Sequence, residues 1–350
     1  MLGAGIWGAG KLTYHPPSED LRAQGEVWLT DFRPLQAKHI DMELFLEQRD
    51  AFTLQEWRNL LLTSMGYNPN WYHLEDEQML LLGRLLPIVH NRVNIIELAP
   101  KGTGKSFLYS NLSRYARLLS GGKTTAAALF YNLATNEPGL LTLYDLLAFD
   151  EAKAISFDNP GEVIGVLKDY LESGRYTRGR QLATASAGVA ILGNIEIAAD
   201  GKPINRVLFR ELPEFLQETA FIARFHALLP GWEIRKFSPN SEATGIGLKA
   251  DFFGEVLHRM RDLAVHGEFV QRKLKIRGSD DIRDVTAVQR VATAYLKLLF
   301  PSLKLTDEEF HRYCVNPALR LRQMVCDQLA AMDAEYPTVR LEASVLGTNH

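Results

Sequence analysis

The chain has 350 residues, 46% of them apolar and 23% charged, the composition of a folded globular protein, which excludes a disordered or collagen-like chain. With 39 Lys+Arg against 42 Asp+Glu the net charge is −3, and residues 1–74 alone carry 6 basic and 9 acidic side chains, so a nucleic-acid or membrane partner needs a local basic patch. Two cysteines, Cys314 and Cys326, make no disulfide framework or metal-ligand spacing, no apolar run nears a membrane span, and the start has no leader pattern, so a cytoplasmic chain without a membrane partner is expected.

In chain order, the first 45 or so residues mix Gly, Pro and short apolar stretches and read as strands and turns. Thr53 and Glu56 form a capping box, with Phe52 and Trp57 as its staple, for a helix to about Ser64. A second helix, Glu75 to Val89, carries Met79, Leu82, Leu85, Leu86 and Val89 at helical spacing. From Val93 to Thr293 short β-rich runs alternate with helical patterns, which predicts an α/β domain with a mainly parallel sheet. Its expected strands are Val93–Leu98, Leu143–Phe149 and Val189–Leu192, and its expected helices include Phe107 to about Leu118 and Glu162–Glu172. Beyond Lys249 the pattern turns helical: Ala250–Val265, Ile282–Leu299, and Asp307–Met332 interrupted at Asn316-Pro317, with Thr306 and Glu309 as a further capping box. The expected domains are an N-terminal remnant with short strands (1–50), an α/β nucleotide-binding domain (51–248), a helical subdomain (249–335) and a tail (336–350).

The chemistry starts after the first of those strands. Ala99-Pro-Lys-Gly-Thr-Gly-Lys-Ser106 lies between a strand and a helix, where backbone N–H groups and the helix start can ring phosphates. Gly102, Thr103, Gly104, Lys105 and Ser106 are the expected ATP-binding residues, with Lys105 on the β/γ-phosphates and Ser106 on Mg²⁺. Ala99 departs from the pattern, which begins with Gly. Leu146-Leu-Ala-Phe-Asp150-Glu151 ends an apolar strand in two carboxylates: Asp150 for the metal shell, Glu151 to polarise the attacking water. Asn194, ending the strand Gly188–Asn194, is expected to orient that water or touch the γ-phosphate; read alone, it is also a turn-forming Asn.

These segments, together with Ala223-Arg-Phe-His-Ala-Leu-Leu-Pro-Gly-Trp232, Ser120-Gly-Gly-Lys-Thr-Thr125 and Lys168–Gly174, resemble the AAA+ ATPase core of the Lon-related BREX phage-defence family (BrxL), over roughly residues 45–335. The core is also similar to the MCM helicases, whose arginine-finger segment matches Ala223-Arg224-Phe225-His226 and whose trans-acting sensor pattern matches Arg283–Arg290. The resemblance implies a P-loop NTPase with a parallel sheet core and a C-terminal helical lid, assembled as a homo-hexamer or dodecamer. Arg224 is then the finger and Arg283 the second sensor, each acting on a neighbour's nucleotide, with Arg210 in reserve; the plain alternative for both is a helix-end salt bridge. Gly174-Arg-Tyr-Thr-Arg-Gly-Arg180 reads as a basic hairpin with a tyrosine able to stack, or as a solvated loop. In MCM-like rings this hairpin faces the channel, which makes Arg175, Arg178 and Arg180 the DNA candidates.

The family pattern includes an N-terminal DNA-binding region and a Lon-like protease domain. Here about 50 residues precede the core, and the only serines after residue 250 are Ser279, Ser302 and Ser344, so no peptidase activity is expected of this chain. The expected function is an ATP hydrolase acting on duplex DNA in BREX-type phage defence, with other BREX proteins as further partners. The alternatives are a protein-remodelling ATPase module of a Lon-related protease system and a nucleotide-switched structural module.

Overall fold

The structure, a computed structural model, describes residues 8–17, 25–34 and 40–347. Expectations that fall on residues 1–7, 18–24, 35–39 and 348–350 lie outside the described residues.

Five parallel strands form the central sheet: β1 (Ile95–Ala99), β2 (Ala116–Ser120), β3 (Leu146–Asp150), β4 (Gly188–Asn194) and β5 (Ala227–Pro230), in the order β5-β1-β4-β3-β2. Parallel strands need crossover helices and are covered on both faces, so they read as near-continuous apolar runs. β1 and β3 are accordingly buried at every residue. Successive side chains alternate between two cores: Ile95, Leu146 and Ala190 face one, Ile96, Leu147 and Ile191 the other. The result is a three-layer sandwich, each fully buried Leu or Ile contributing roughly 1.5–3 kcal/mol.

The second core is covered by α4 (Pro160–Ser173), through Val163, Leu167 and Leu171. The first is covered by helices from both ends of the chain: α1 (Leu54–Ser64), α2 (Glu75–Gly83), α5 (Ala250–Met260) and α6 (Ile282–Leu299). Trp57 Nε1 donates to the Leu298 carbonyl at 2.8 Å and Arg49 Nε to Leu299 at 2.9 Å, which ties the chain's first helices to the end of α6. The capping boxes at Thr53 and Thr306 are both present.

Several boundaries differ from expectation, each for a local reason. The helix after the Gly-rich loop, α3 (Lys105–Asn111), stops well before Leu118, because Ala116–Ser120 is the edge strand β2, whose half-buried residues give a weak β signal. The helix expected over Glu75–Val89 breaks at Arg84-Leu85, ahead of Pro87. The second expected strand, Leu143–Phe149, begins at Leu146, because Leu140–Leu143 coils into a helical turn. Ala250–Val265 divides into α5 and a second helix, Val265–Lys273. At Asn316-Pro317 the proline's missing N–H is absorbed by a π-turn over His311–Val315, and α7 (Asn316–Met332) follows directly. Within the expected tail, Glu342–Val345 pairs antiparallel with Leu274–Arg277. At the N-terminus Gly8–His15 and Glu26–Pro34 form a two-stranded antiparallel sheet, and Met42–Arg49 is a helix where strands were expected. Among the described residues no helix is long and apolar enough to cross a membrane.

Two buried histidines set an acid limit on the fold. Burial, with Lys297 nearby, pushes His266 down to about 4 despite its bond to the Pro301 carbonyl, and burial beside Arg290, Arg322 and Arg92 holds His226 well below the usual histidine range. Both folded values lie below the unfolded one, so their contribution is complete above pH 6.5 and is lost as pH falls from 6.5 toward 4, at about 1.4 kcal/mol per pH unit per group. Thermal melts should shift steeply downward between pH 6.5 and 5, and less so for His226→Asn; a flat profile contradicts the account.

Candidate functional site

In a parallel sheet the loops leaving the C-terminal strand ends form the ligand crevice. Register puts Ala99 opposite Asn194 and Ser120 opposite Asp150, so the ends of β1, β4, β3 and β2 share that edge. The sheet thus brings the Gly-rich loop, Asp150-Glu151 and Asn194 together, with β4 between β1 and β3.

In the loop, Gly102 (φ +86°) and Gly104 (φ +76°) are in the left-handed region that side-chain-bearing residues avoid, and no side chain caps the start of α3. The Thr103 hydroxyl is buried without a hydrogen-bond partner. Lys105 is buried, and its Nζ donates to Asn194 Oδ1 at 2.7 Å. Burial lowers the Lys105 pKa, partly offset by Glu97 and Asp150. Asn194 thereby holds the lysine tip at the mouth of the crevice, a contact that spacing alone did not reveal.

Ala99, the departure from the motif, is accommodated from across the sheet. A Cβ on Gly231 would lie 2.4 Å from the Ala99 Cβ and 3.1 Å from Glu97 Oε1, so the extra methyl at residue 99 occupies the space that Gly231 leaves open.

Asp150 is buried at the end of β3, and its Oδ1 accepts the Glu151 N–H at 2.8 Å. Glu151 is exposed and held at φ +49°, ψ +56°, a left-handed conformation costing about 1–2 kcal/mol for a residue with a Cβ. Residues 120–125, quoted for the resemblance, pass beside it: a Cβ on Gly121 would lie 3.9 Å from Glu151 Oε2. Ser106 is half-buried in the first turn of α3.

Beneath the loop lies a network that motif reading missed. Arg84 and Glu97 are both fully buried and paired at 2.5 Å. Arg84 also donates to the Thr103 carbonyl at 3.0 Å and the Tyr67 hydroxyl at 2.7 Å. Desolvation is the largest single influence and lowers its pKa, but the charge and hydrogen bond of Glu97 together with Tyr67 and Tyr109 outweigh it, and the net shift is upward. The Phe237 N–H donates to the Gly102 carbonyl at 2.6 Å, so the loop is held from both sides. The available signal was a lone charge in each of two apolar runs, Met79–Val89 and Ile95–Ala99.

The finger and sensor candidates lie elsewhere. Arg224 precedes β5 by three residues, and β5 runs parallel to β1, so Arg224 is at the sheet edge opposite the Gly-rich loop. At about 3.3 Å per residue the five residues of β1 separate the two edges by about 13 Å. Arg224 and Arg283 meet at one carboxylate: each Nε is 3.0 Å from Glu172 Oε2. Buried Arg322 frames them, donating to the carbonyls of Ala223 and Phe225 and pairing with Asp284 at 2.7 Å. Burial lowers the Arg283 pKa, but Glu172 and Asp281 raise it further. His226, at the end of the matched segment, is a packing residue whose Nδ1 accepts the Asn94 N–H at 2.8 Å. Arg210 is exposed on the turn Leu208–Glu211 and takes no part in the Glu172 pair.

The basic segment is a hairpin, Arg175–Arg178 against Gln181–Thr184, closed by Gly179-Arg180. Two expectations change here. Tyr176 is buried, its hydroxyl 2.9 Å from the Phe130 carbonyl, and is not available to stack on a base. Arg178 donates to the Tyr131 carbonyl and pairs with Glu162 at 3.5 Å, which clamps the hairpin to a neighbouring one, Tyr131–Asn132 with Glu137–Pro138. Arg175 and Arg180 remain exposed.

The donor set fits a nucleoside triphosphate with a divalent ion. The glycine turn and Lys105 offer positive groups to phosphates, and Ser106 with Asp150 can supply the one or two protein ligands that Mg²⁺ takes alongside phosphate oxygens. Among the described residues no three His, Cys, Asp or Glu cluster as an all-protein metal site.

Strand order, loop and strand-end carboxylates define an ATPase domain of the AAA+ type. The chain belongs to the BrxL ATPase-domain family: the family model described as "Lon-like protease BrxL-like, ATPase domain" matches residues 27–342. It is 35% identical over 331 residues to the Lon-like protease BrxL of Bacillus cereus (strain H3081.97), covering 93% of this chain and 48% of that protein. It is 34% identical over 331 residues to the Lon-like protease BrxL of Escherichia coli O9:H4 (strain HS), covering 94% and 46%. The chain thus spans about half the length of these relatives.

Proposed function

We propose that this chain is an ATP hydrolase that assembles as a homo-hexamer or a stacked dodecamer, completes each site with arginines from the adjacent subunit, and acts on duplex DNA in BREX-type phage defence in the cytoplasm. ATP bound in the crevice supplies the reacting phosphoryl group, and Mg²⁺ offsets its charge. Gly102, Thr103 and Gly104 present backbone N–H groups, and Lys105 adds a positive charge. Ser106 and Asp150 hold the metal, and Glu151 takes the proton of the attacking water. Asn194 keeps Lys105 aimed. The observation that carries the reading is the place of Arg224 and Arg283, which converge on Glu172 at the sheet edge opposite their own Gly-rich loop. An arginine there serves a neighbour's phosphate, where it stabilises transition-state charge.

Complementation tests this. Arg224→Ala and Glu151→Gln should each be nearly inactive, one lacking the finger and the other the base. Mixed at equal amounts they should regain ATPase activity, because roughly a quarter of interfaces then join an intact site to an intact finger. Activity no greater than the sum of the separate variants overturns the trans arrangement.

Arg175 and Arg180 are the DNA contacts in this reading, with Arg178 as the hairpin's clamp. The second reading, polypeptide remodelling, is favoured by Leu182, which is 70% exposed on the same hairpin. Duplex DNA should raise turnover with strong salt dependence, and unfolded protein should not; the reverse result supports remodelling.

A further inference from the structure

We infer that Glu172 is a positioning residue that links the neighbour's nucleotide to this subunit's hairpin, an inference that rests on the ring reading above. Glu172 is the penultimate residue of α4, and Gly174 then leads directly into the hairpin strand starting at Arg175. Its Oε2 is shared by two guanidinium groups from distant parts of the chain, Arg224 before β5 and Arg283 in the first turn of α6. Three elements therefore meet on one oxygen at the root of the hairpin.

The pairing is built to be exchanged. Glu172 is 40% exposed, and ion pairs at such sites contribute about 0–1 kcal/mol. The frame behind it is of another kind: Arg322 and Asp284 are buried and paired, and Arg322 donates to the carbonyls of the residues on both sides of Arg224. The backbones carrying the two arginines stay fixed, and their tips have only weak holds besides Glu172, the Ala220 carbonyl for Arg224 and Asp281 at 4.0 Å for Arg283, to give up when they swing. A polyphosphate carries several charges and many acceptor oxygens, and a planar guanidinium binds it in bidentate fashion, so it outcompetes a single exposed carboxylate.

With the neighbour's site empty, Glu172 holds both arginines. With it filled, they turn to the phosphates and Glu172 loses both counter-charges at once. The last turn of α4 is then released from β5 and α6, and the hairpin that begins two residues later can change its position. Other bonds keep the hairpin folded: Gly174 accepts from the Ala185 N–H at 3.0 Å, and the strands stay in register from Arg175–Thr184 to Arg178–Gln181. The element moves as a unit with the neighbouring hairpin to which Arg178 clamps it.

A fluorophore sensitive to its surroundings, placed on Leu182→Cys, reads this directly. Leu182 is exposed, and the native Cys314 and Cys326 are both buried, so labelling is confined to the hairpin. In the full chain, adding a non-hydrolysable ATP analogue with Mg²⁺ should shift the emission. In Glu172→Gln, which keeps the side-chain shape without its charge, the shift should fall at least severalfold while analogue affinity stays within about twofold. An equal shift in both proteins, or analogue binding with no shift in the parent, overturns the inference. Failed complementation between Arg224→Ala and Glu151→Gln overturns the ring reading and this inference together. Successful complementation with an unchanged Glu172→Gln response overturns this inference alone.

Discussion

Glu151→Gln should bind ATP with parental affinity and hydrolyse it roughly a hundred- to ten-thousand-fold more slowly, the usual contribution of a positioned general base. The amide keeps the shape of the side chain and cannot take a proton. Among the described residues Glu151 makes no hydrogen bond or ion pair with the loop that grips phosphates, and its own N–H is already bonded to Asp150, so nucleotide affinity has no reason to change. Lys105→Ala should behave in the opposite way and lose binding, because the positive group that Asn194 aims into the crevice is gone. Equilibrium binding of a fluorescent ATP analogue and single-turnover hydrolysis separate the two. Normal turnover in both variants would remove the basis for the assignment.

Glu97→Ala is expected to be the most damaging single change to the fold. It strands the Arg84 guanidinium, fully buried, without its counter-ion. Breaking one side of such a pair costs about 3–5 kcal/mol. Total stability is about 5–15 kcal/mol, so the variant should accumulate poorly as folded protein. Replacing both residues, Arg84→Met with Glu97→Met, should recover most of the loss, since an apolar pair of similar volume carries no desolvation cost. The double variant should still bind nucleotide more weakly, because the Thr103 carbonyl and the Tyr67 hydroxyl lose their donor. Denaturant titration measures the first effect and analogue binding the second. A cost below about 1 kcal/mol for Glu97→Ala would mean that the pair is not buried as described.

The parts of the molecule legible in the sequence were those with short-range causes. The capping boxes at Thr53 and Thr306, the apolar runs of β1, β3 and β4, and the glycine turn at 102–104 each depend on residues a few positions apart. What escaped depends on partners far along the chain. β2 is a half-buried edge strand, and only its pairing with β3 separates it from a helix continuation. Tyr176 looked available for stacking because it sits in a basic hairpin, yet it points into the second core. Arg178 looked like its neighbours Arg175 and Arg180, and differs only because the Tyr131 carbonyl and Glu162 lie within its reach. Glu172 and Asp284 lie inside segments that carry the resemblance but had no role assigned, and Arg322 lies in none. Their meaning comes from tertiary packing that gathers three distant segments around Arg224 and Arg283.

The methyl of Ala99 and the bare α-carbon of Gly231 make up one shared volume divided between the end of β1 and the turn after β5. A rule that demands glycine at the first position of the phosphate loop would pass over this chain, although the room that glycine provides is still there on β5's side of the contact. The two positions therefore trade with each other. Gly231→Ala should jam the crevice floor by itself, and the same change made together with Ala99→Gly should remove its closest clash, the methyl having crossed from β1 to the turn after β5.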